Sequence, residues 1–273
     1  MSPRVTAIIA TYNWSSVLPY SIGSVLGQTF SDFELLVIGD GCTDDSEAVV
    51  RGVGDPRVQW VNIPRHGHQS GPNNEGIRRA RGEYIAYLGH DDLWLPHHLA
   101  VLVQALDAGA DVAQSAAALI WPDGKRQAAT LFPSATVHRR SMIDVAGGWR
   151  DYRELELVPE LDLWQRAREA GLRFAFVPRL TAIKLSAGAR RGVYRERPSH
   201  EQAAWLARIR SEPDLEMTEL MSMAMRDITP SVPERLLRLM AQPWRLPGVV
   251  WRRIRPQKGA LVRQLQRYKG VRG

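Results

Sequence analysis

Glu83-Tyr84-Ile85-Ala86-Tyr87-Leu88-Gly89-His90-Asp91-Asp92 is the stretch whose reading decides the fold. An apolar, β-branched and aromatic run ends abruptly in two carboxylates, the pattern of a buried parallel strand that delivers acids to the carboxyl edge of its sheet. Open α/β sheets bind their ligands at that edge. Adjacent aspartates repel each other and lose hydration when buried, so they persist where a cation compensates them. Mg²⁺ or Mn²⁺ bridging to a diphosphate is one such cation. A second reading makes Asp91-Asp92 the cap of a helix that Pro96 opens.

Upstream, Arg4 to Ala10 reads as a strand running into Thr11-Tyr12-Asn13-Trp14-Ser15-Ser16, which suits a turn and a helix start. Apolar residues recur at helical spacing from Val17 to Leu26, and Phe33 to Ile38 forms a second strand ending in Gly39-Asp40-Gly41. Asp40 is thereby placed to accept hydrogen bonds from a ligand. A third strand spans 57–63, and the helix expected over 73–81 offers free N–H groups in its first turn and arginines that face either phosphate or water.

Downstream, the pattern predicts a helix from Pro96 to Asp107, then two strands, 111–115 and 117–121, with a turn at Pro122-Asp123-Gly124. A short helix ends at Gly147-Gly148-Trp149. Glu160 and Asp162 open an amphipathic helix that stops at Gly171, a strand covers 173–177, and a further helix covers His200 to Arg210.

The 273 residues suffice for a sizeable core. The single Cys42 forms no internal disulfide, and no Cys/His spacing suggests zinc. With no signal-like start and no run of about twenty apolar residues, the expected location is the cytoplasm, at most peripheral on the inner membrane face. Charge is uneven. From Glu234 onward eleven Arg or Lys face one acid, a net of +10, which leaves −3 of the total +7 for the preceding chain. This tail reads as a separate electrostatic object, expected to stand apart from the chemistry. Leu261, Leu265 and Tyr268 share one helical face while Arg263 and Arg267 lie elsewhere, a pattern suited to an anionic membrane surface. Trp244, Trp251 and Tyr268 among the basic residues also fit nucleic acid, the less favoured partner.

Taken together and in order, Thr6 to Asn13, Val37 to Ser46, Asn74 to Asp92, Gly147-Gly148-Trp149 and Glu160 to Trp164 resemble family 2 glycosyltransferases of the GT-A fold. The resemblance covers about residues 4–180. It implies a Rossmann-like, mostly parallel central sheet flanked by helices. The expected organisation is a catalytic domain over 1–210, with a nucleotide-sugar half to about 95 and an acceptor half after it, and a helical, basic extension over 211–273. It also implies inverting transfer from a UDP-, GDP- or dTDP-sugar to a glycan or lipid-linked acceptor, with Mg²⁺ or Mn²⁺ as cofactor, in surface polysaccharide or other glycan synthesis. Thr11, Tyr12, Asn13 and Asp40, with Asn74, Gly76, Arg78, Arg81, His90 and Asp91 from the third matching segment, are its nucleotide-sugar-binding candidates.

The sequence departs from the family at Gly89, where the usual first metal acid would fall. Asp91 is left as the direct metal ligand, with Asp92 as its neighbour. The family's catalytic base opens a late helix, which gives the role to Glu160 with Asp162 in reserve. The missing acid keeps open a binding module with lost catalysis. A nucleotidyltransferase would carry a Gly-rich basic loop after the first strand, which Thr11-Tyr12-Asn13-Trp14 is not.

Overall fold

The computed structural model describes residues 2–228 and 259–270. Strands β1 (Val5–Thr11), β2 (Phe33–Asp40) and β4 (Tyr84–Gly89) are buried along nearly their whole length. Parallel strands covered on both faces must be apolar almost throughout, and these are. β3 (Val58–Ile63) lies at the sheet edge and is only half buried. Alternation divides the core. Val5, Ala7 and Ile9 face α1 (Leu18–Leu26) and α4 (His98–Asp107), whereas Ile8, Leu36 and Ile38 face Ile77 of α3 (Ser70–Arg79) and the aromatic residues of the opposite layer.

The strand order is β3-β2-β1-β4, then β8 (Thr136–Arg139), β6 (Val112–Ile120), β9 (Phe174–Lys184) and β5 (Leu93–Trp94), with β7 (Arg126–Ala129) paired to β6. β1 is parallel to β2 and to β4, with Ala10 level with Ile38 and Gly89, so three strands end along one edge. The chain leaves β1 toward β2 on one side and returns to β4 on the other, a topological switch point. Beyond β4, the antiparallel β8 joins β6, and β6 pairs in parallel with the long β9.

Several sequence expectations change. Leu93–Trp94 is a short strand, β5, paired to β9, so Asp91-Asp92 do not cap a helix, and α4 begins at His98. The two strands expected over 111–121 are one strand with a register shift after Gln114, which the small, polar Ser115 disguises as a break. The strand expected to stop at Val177 continues through Pro178 to Lys184, and α3 starts three residues before Asn73. The helices α8 (His200–Ser211) and α9 (Leu215–Ile228) share an apolar cluster with Leu93 and Ile183. The aromatic residues 244 and 251 of the basic tail, and the side chains of Leu261, Leu265 and Tyr268, lie outside the described residues.

Candidate active site

A cleft of about 350 Å³ opens at the carboxyl edge of β1, β2 and β4. Thr11, Tyr12, Asp40, His90, Asp91 and Glu160 all line it, though they come from four separate parts of the chain. The topological switch point is what brings them together.

On the β1 and β2 side, the Arg65 guanidinium lies 3.4 Å from the centre of the Tyr12 ring and 3.8 Å from Asp40. Asp40 accepts hydrogen bonds from the backbone N–H groups of His66 (2.6 Å) and Gly67 (2.8 Å), so it fixes the loop after β3. Asn13 does not line the cleft. Its Oδ1 accepts from the N–H of Thr43 (2.7 Å) and Asp44 (3.3 Å), which ties the end of β1 to the loop after β2, and it adopts a left-handed backbone (φ 44°) to do so.

His90 is a strut. One ring nitrogen meets Thr11 Oγ1 at 2.9 Å and the other meets the Tyr194 hydroxyl at 3.0 Å, joining β1 to α7 (Val193–Glu196). Burial depresses its pKa, which favours the neutral imidazole.

The two aspartates have different surroundings. Asp92 is fully buried and accepts from Ser134 Oγ (2.5 Å), Lys184 Nζ (2.8 Å) and the Leu185 N–H (3.2 Å). It does not line the cleft, and its charge is already matched by Lys184. Burial works against the lysine's charge, but Asp92 and Asp91 beside it outweigh that and raise its pKa. Asp91 lines the cleft, and among the described residues its carboxylate has no hydrogen bond or ion pair. Desolvation and the neighbouring Asp92 push its pKa up. A buried carboxylate without a partner is the donor that fits a divalent cation. The described residues contain no cluster of three His, Cys, Asp or Glu side chains, so such a cation would take its other ligands from diphosphate oxygens and water.

Gly89 has its own reason in this arrangement. A Cβ there would stand 2.7 Å from Asp92 Oδ2, so the place the first acid would take is filled by the Asp92 carboxylate.

Across the cleft, α6 (Pro159–Glu169) begins with proline at its first position and sets Glu160 in its first turn. Glu160 Oε2 lies 3.5 Å from Gln69 Nε2, and desolvation raises its pKa above the ordinary glutamate value despite Lys184 and Lys269. Asp162 does not line the cleft. It pairs with Arg166 at 2.8 Å and Arg150 at 3.5 Å, and Arg166 donates to the carbonyls of Ala146 and Gly148.

The remaining candidates sit elsewhere. Asn74 bonds the N–H and C=O of Trp149 at 2.9 and 2.8 Å, which pins that loop to α3. Gly76 lets α3 approach the sheet, since a Cβ would come within 2.7 Å of Ile8. Arg78 is exposed and pairs with Glu75, which together with Arg79 holds that carboxyl down at about 2. Arg81 bonds the buried Glu34 at the start of β2, the sheet end opposite the cleft.

The Glycosyl transferase family 2 profile matches residues 6–143, just over half of the chain. The chain belongs to glycosyl transferase family 2. Among curated relatives, the succinoglycan biosynthesis protein ExoO of Rhizobium meliloti is 34% identical over 124 residues, 45% of this chain and 36% of ExoO. A GalNAc(5)-diNAcBac-PP-undecaprenol β-1,3-glucosyltransferase of Campylobacter jejuni is 31% identical over 112 residues, 39% of this chain and 36% of that protein. The matches thus span about a third of these relatives' length. Among solved structures, S. aureus TarS 1–349 with UDP-GlcNAc superposes with a TM-score of 0.59 at 18% identity, covering 83% of this chain and 70% of that one. The Pyrobaculum calidifontis mannosyltransferase PcManGT, in complex with GDP-Man and Mn²⁺, gives 0.57 at 17%, covering 99% and 87%. At these identities the likeness is one of GT-A fold.

For this family 2 member, sequence reasoning missed Arg65, Gln69, Ser134, Lys184, Tyr194, Gln266 and Lys269, all of which line the cleft. A signal existed for Lys184, because the β-prone stretch Leu180-Thr181-Ala182-Ile183 ends in a charge, but Pro178 masked its continuity with the strand before it. The last two lie on α10 (Ala260–Lys269). Of the basic tail, the described residues 259–270 pack against the cleft rim.

Proposed function

We propose that this chain transfers a sugar, with inversion, from a nucleoside-diphosphate sugar to an acceptor hydroxyl. The observation that carries the reading is one cleft holding two carboxylates without strong partners, Asp91 beneath and Glu160 across from it. Asp91 would hold Mg²⁺ or Mn²⁺, which supplies positive charge to the diphosphate oxygens. PcManGT, crystallised with Mn²⁺, supports that cofactor.

Each further step uses the chain's own groups. The Tyr12 face and the Arg65 guanidinium form a stacking wall for the base, and Asp40 holds the loop that borders it. Glu160 accepts the proton of the acceptor hydroxyl as that oxygen bonds to the anomeric carbon. The bond from that carbon to the diphosphate breaks from the opposite face, and its electron pair leaves with the nucleoside diphosphate. Burial makes Glu160 a stronger base than an exposed glutamate.

The relatives' names support surface-polysaccharide synthesis and a lipid-linked acceptor. Among the described residues no helix is long and apolar enough to cross a membrane. Contact with an anionic bilayer would rest on the +10 tail.

The test is titration of UDP-, GDP- and dTDP-sugars with and without Mn²⁺, for the wild type and Asp91→Asn. Metal-dependent binding of one donor by the wild type, lost in the variant, is the expected result. Metal dependence unchanged in Asp91→Asn would remove the cation from Asp91.

A further inference from the structure

The family match ends at residue 143, yet part of the cleft wall comes from the far end of the chain. Helix α10 is fastened to the rim at two points. The Gly259 N–H donates to the Leu155 carbonyl at 2.8 Å, and Gln266 Nε2 donates to the Gly67 carbonyl at 2.6 Å. Gly67 is the residue whose own N–H is held by Asp40, so α10 grips the nucleoside-side loop directly. Val262 is buried beneath the helix. Three residues after Gln266 and on the same helical face, Lys269 reaches the cleft.

Among the described residues two lysines therefore line this site, and they are not equivalent. Lys184 is committed to Asp92 at 2.8 Å. Lys269 has no carboxylate within ion-pair distance among the described residues, although Asp91 and Glu160 lie close enough to act on it electrostatically. Burial lowers its pKa. The side chain is half-buried, and an ammonium group partly withdrawn from water with no ion-pair partner favours the arrival of an anion. The cleft's own chemistry indicates which anion, because a cation held by Asp91, as proposed above, would attract phosphate.

We propose that Lys269 binds the diphosphate of the nucleotide donor, making α10 a working part of the donor site. The inference rests on the donor reading above and extends it to a residue far outside the family match. As the bond to the anomeric carbon breaks, negative charge grows on the diphosphate, and a fixed ammonium stabilises that state more than the ground state.

The experiment uses the full chain and calorimetric titration with UDP, GDP and dTDP in the presence of Mn²⁺, and with the corresponding monophosphates. Lys269→Met should weaken the diphosphate that the wild type binds by about 10- to 100-fold, the range for a lost hydrogen bond to a charged group. Lys269→Arg should stay within about threefold of wild type, and the matching monophosphate should change by less than about twofold in either variant. Lys269→Gln repeats the test with a neutral polar side chain should the methionine variant melt early. Wild-type diphosphate affinity in both Lys269→Met and Lys269→Gln would overturn the inference and leave the donor reading standing. A wild-type chain that bound none of the diphosphates would overturn both.

Discussion

Restoring the family's first metal acid by Gly89→Asp should damage this protein rather than improve it. A Cβ at 89 would lie 2.7 Å from Asp92 Oδ2 and 3.3 Å from Asp91 Oδ1. The Asp92 oxygens cannot simply swing away, because Ser134, Lys184 and the Leu185 N–H hold them at 2.5, 2.8 and 3.2 Å. Breaking such a buried pair costs about 3–5 kcal/mol. A third carboxylate near the other two adds repulsion of up to about 4 kcal/mol per pair at an effective dielectric constant near 20, part of which protonation relieves. A net loss of about 4 kcal/mol corresponds to a fall in Tm of about 8–16 °C for a chain of this size. Gly89→Ala carries the steric part alone, about 1–3 kcal/mol. The added acid would have a raised folded-state pKa, so the stability it removes grows as pH rises, and the Tm gap to wild type should narrow from about pH 8 to about pH 5. Thermal melts of the three proteins, with Mn²⁺ titrations in the presence of UDP, measure this. A Gly89→Asp protein melting within about 2 °C of wild type and binding Mn²⁺ more tightly would refute the reasoning.

Further outcomes follow from the same geometry. Glu160→Gln should lower kcat with the true acceptor by about 10²- to 10⁴-fold while leaving donor affinity near wild type, and wild-type turnover in that variant would move the base elsewhere. The raised Glu160 pKa means the folded state holds its proton to higher pH than the unfolded chain, so this group's contribution to stability declines as pH rises through that window. Glu160→Gln should accordingly melt above wild type at neutral pH, and the acid limb of wild-type kcat/KM should lie above the ordinary glutamate range. Arg81→Ala removes the side-chain partner of buried Glu34 but leaves the backbone bond. Because that guanidinium is largely exposed, the cost should be about 1–2 kcal/mol, seen as a lower Tm with unchanged donor affinity; a donor-binding defect would return Arg81 to the site.

The apolar runs of β1, β2 and β4, and the acids that follow the last two, were legible in the sequence, because parallel strands buried on both faces impose a local, nearly continuous apolar pattern. The same local patterns placed Thr11, Tyr12, Asp40 and Asp91 at strand ends and Glu160 at a helix start, while the roles expected of them came from the family resemblance. What the sequence by itself could not determine is how those polar groups are spent. Asn13, Asn74 and Arg81 are of the residue types that bind ligands, yet each is consumed by a partner between 30 and 75 positions away, and hydrogen-bond partners at such separations leave no local trace. Asp91 and Asp92 are chemically identical neighbours, and only the arrival of Lys184 at the end of β9 decides that one is neutralised while the other faces the cleft. Lys269 was read as surface charge in a basic tail, and only tertiary packing of α10 against Gly67 and Leu155 carries it into the site, because burial of a charge is a property of everything around it and not of its neighbours in sequence.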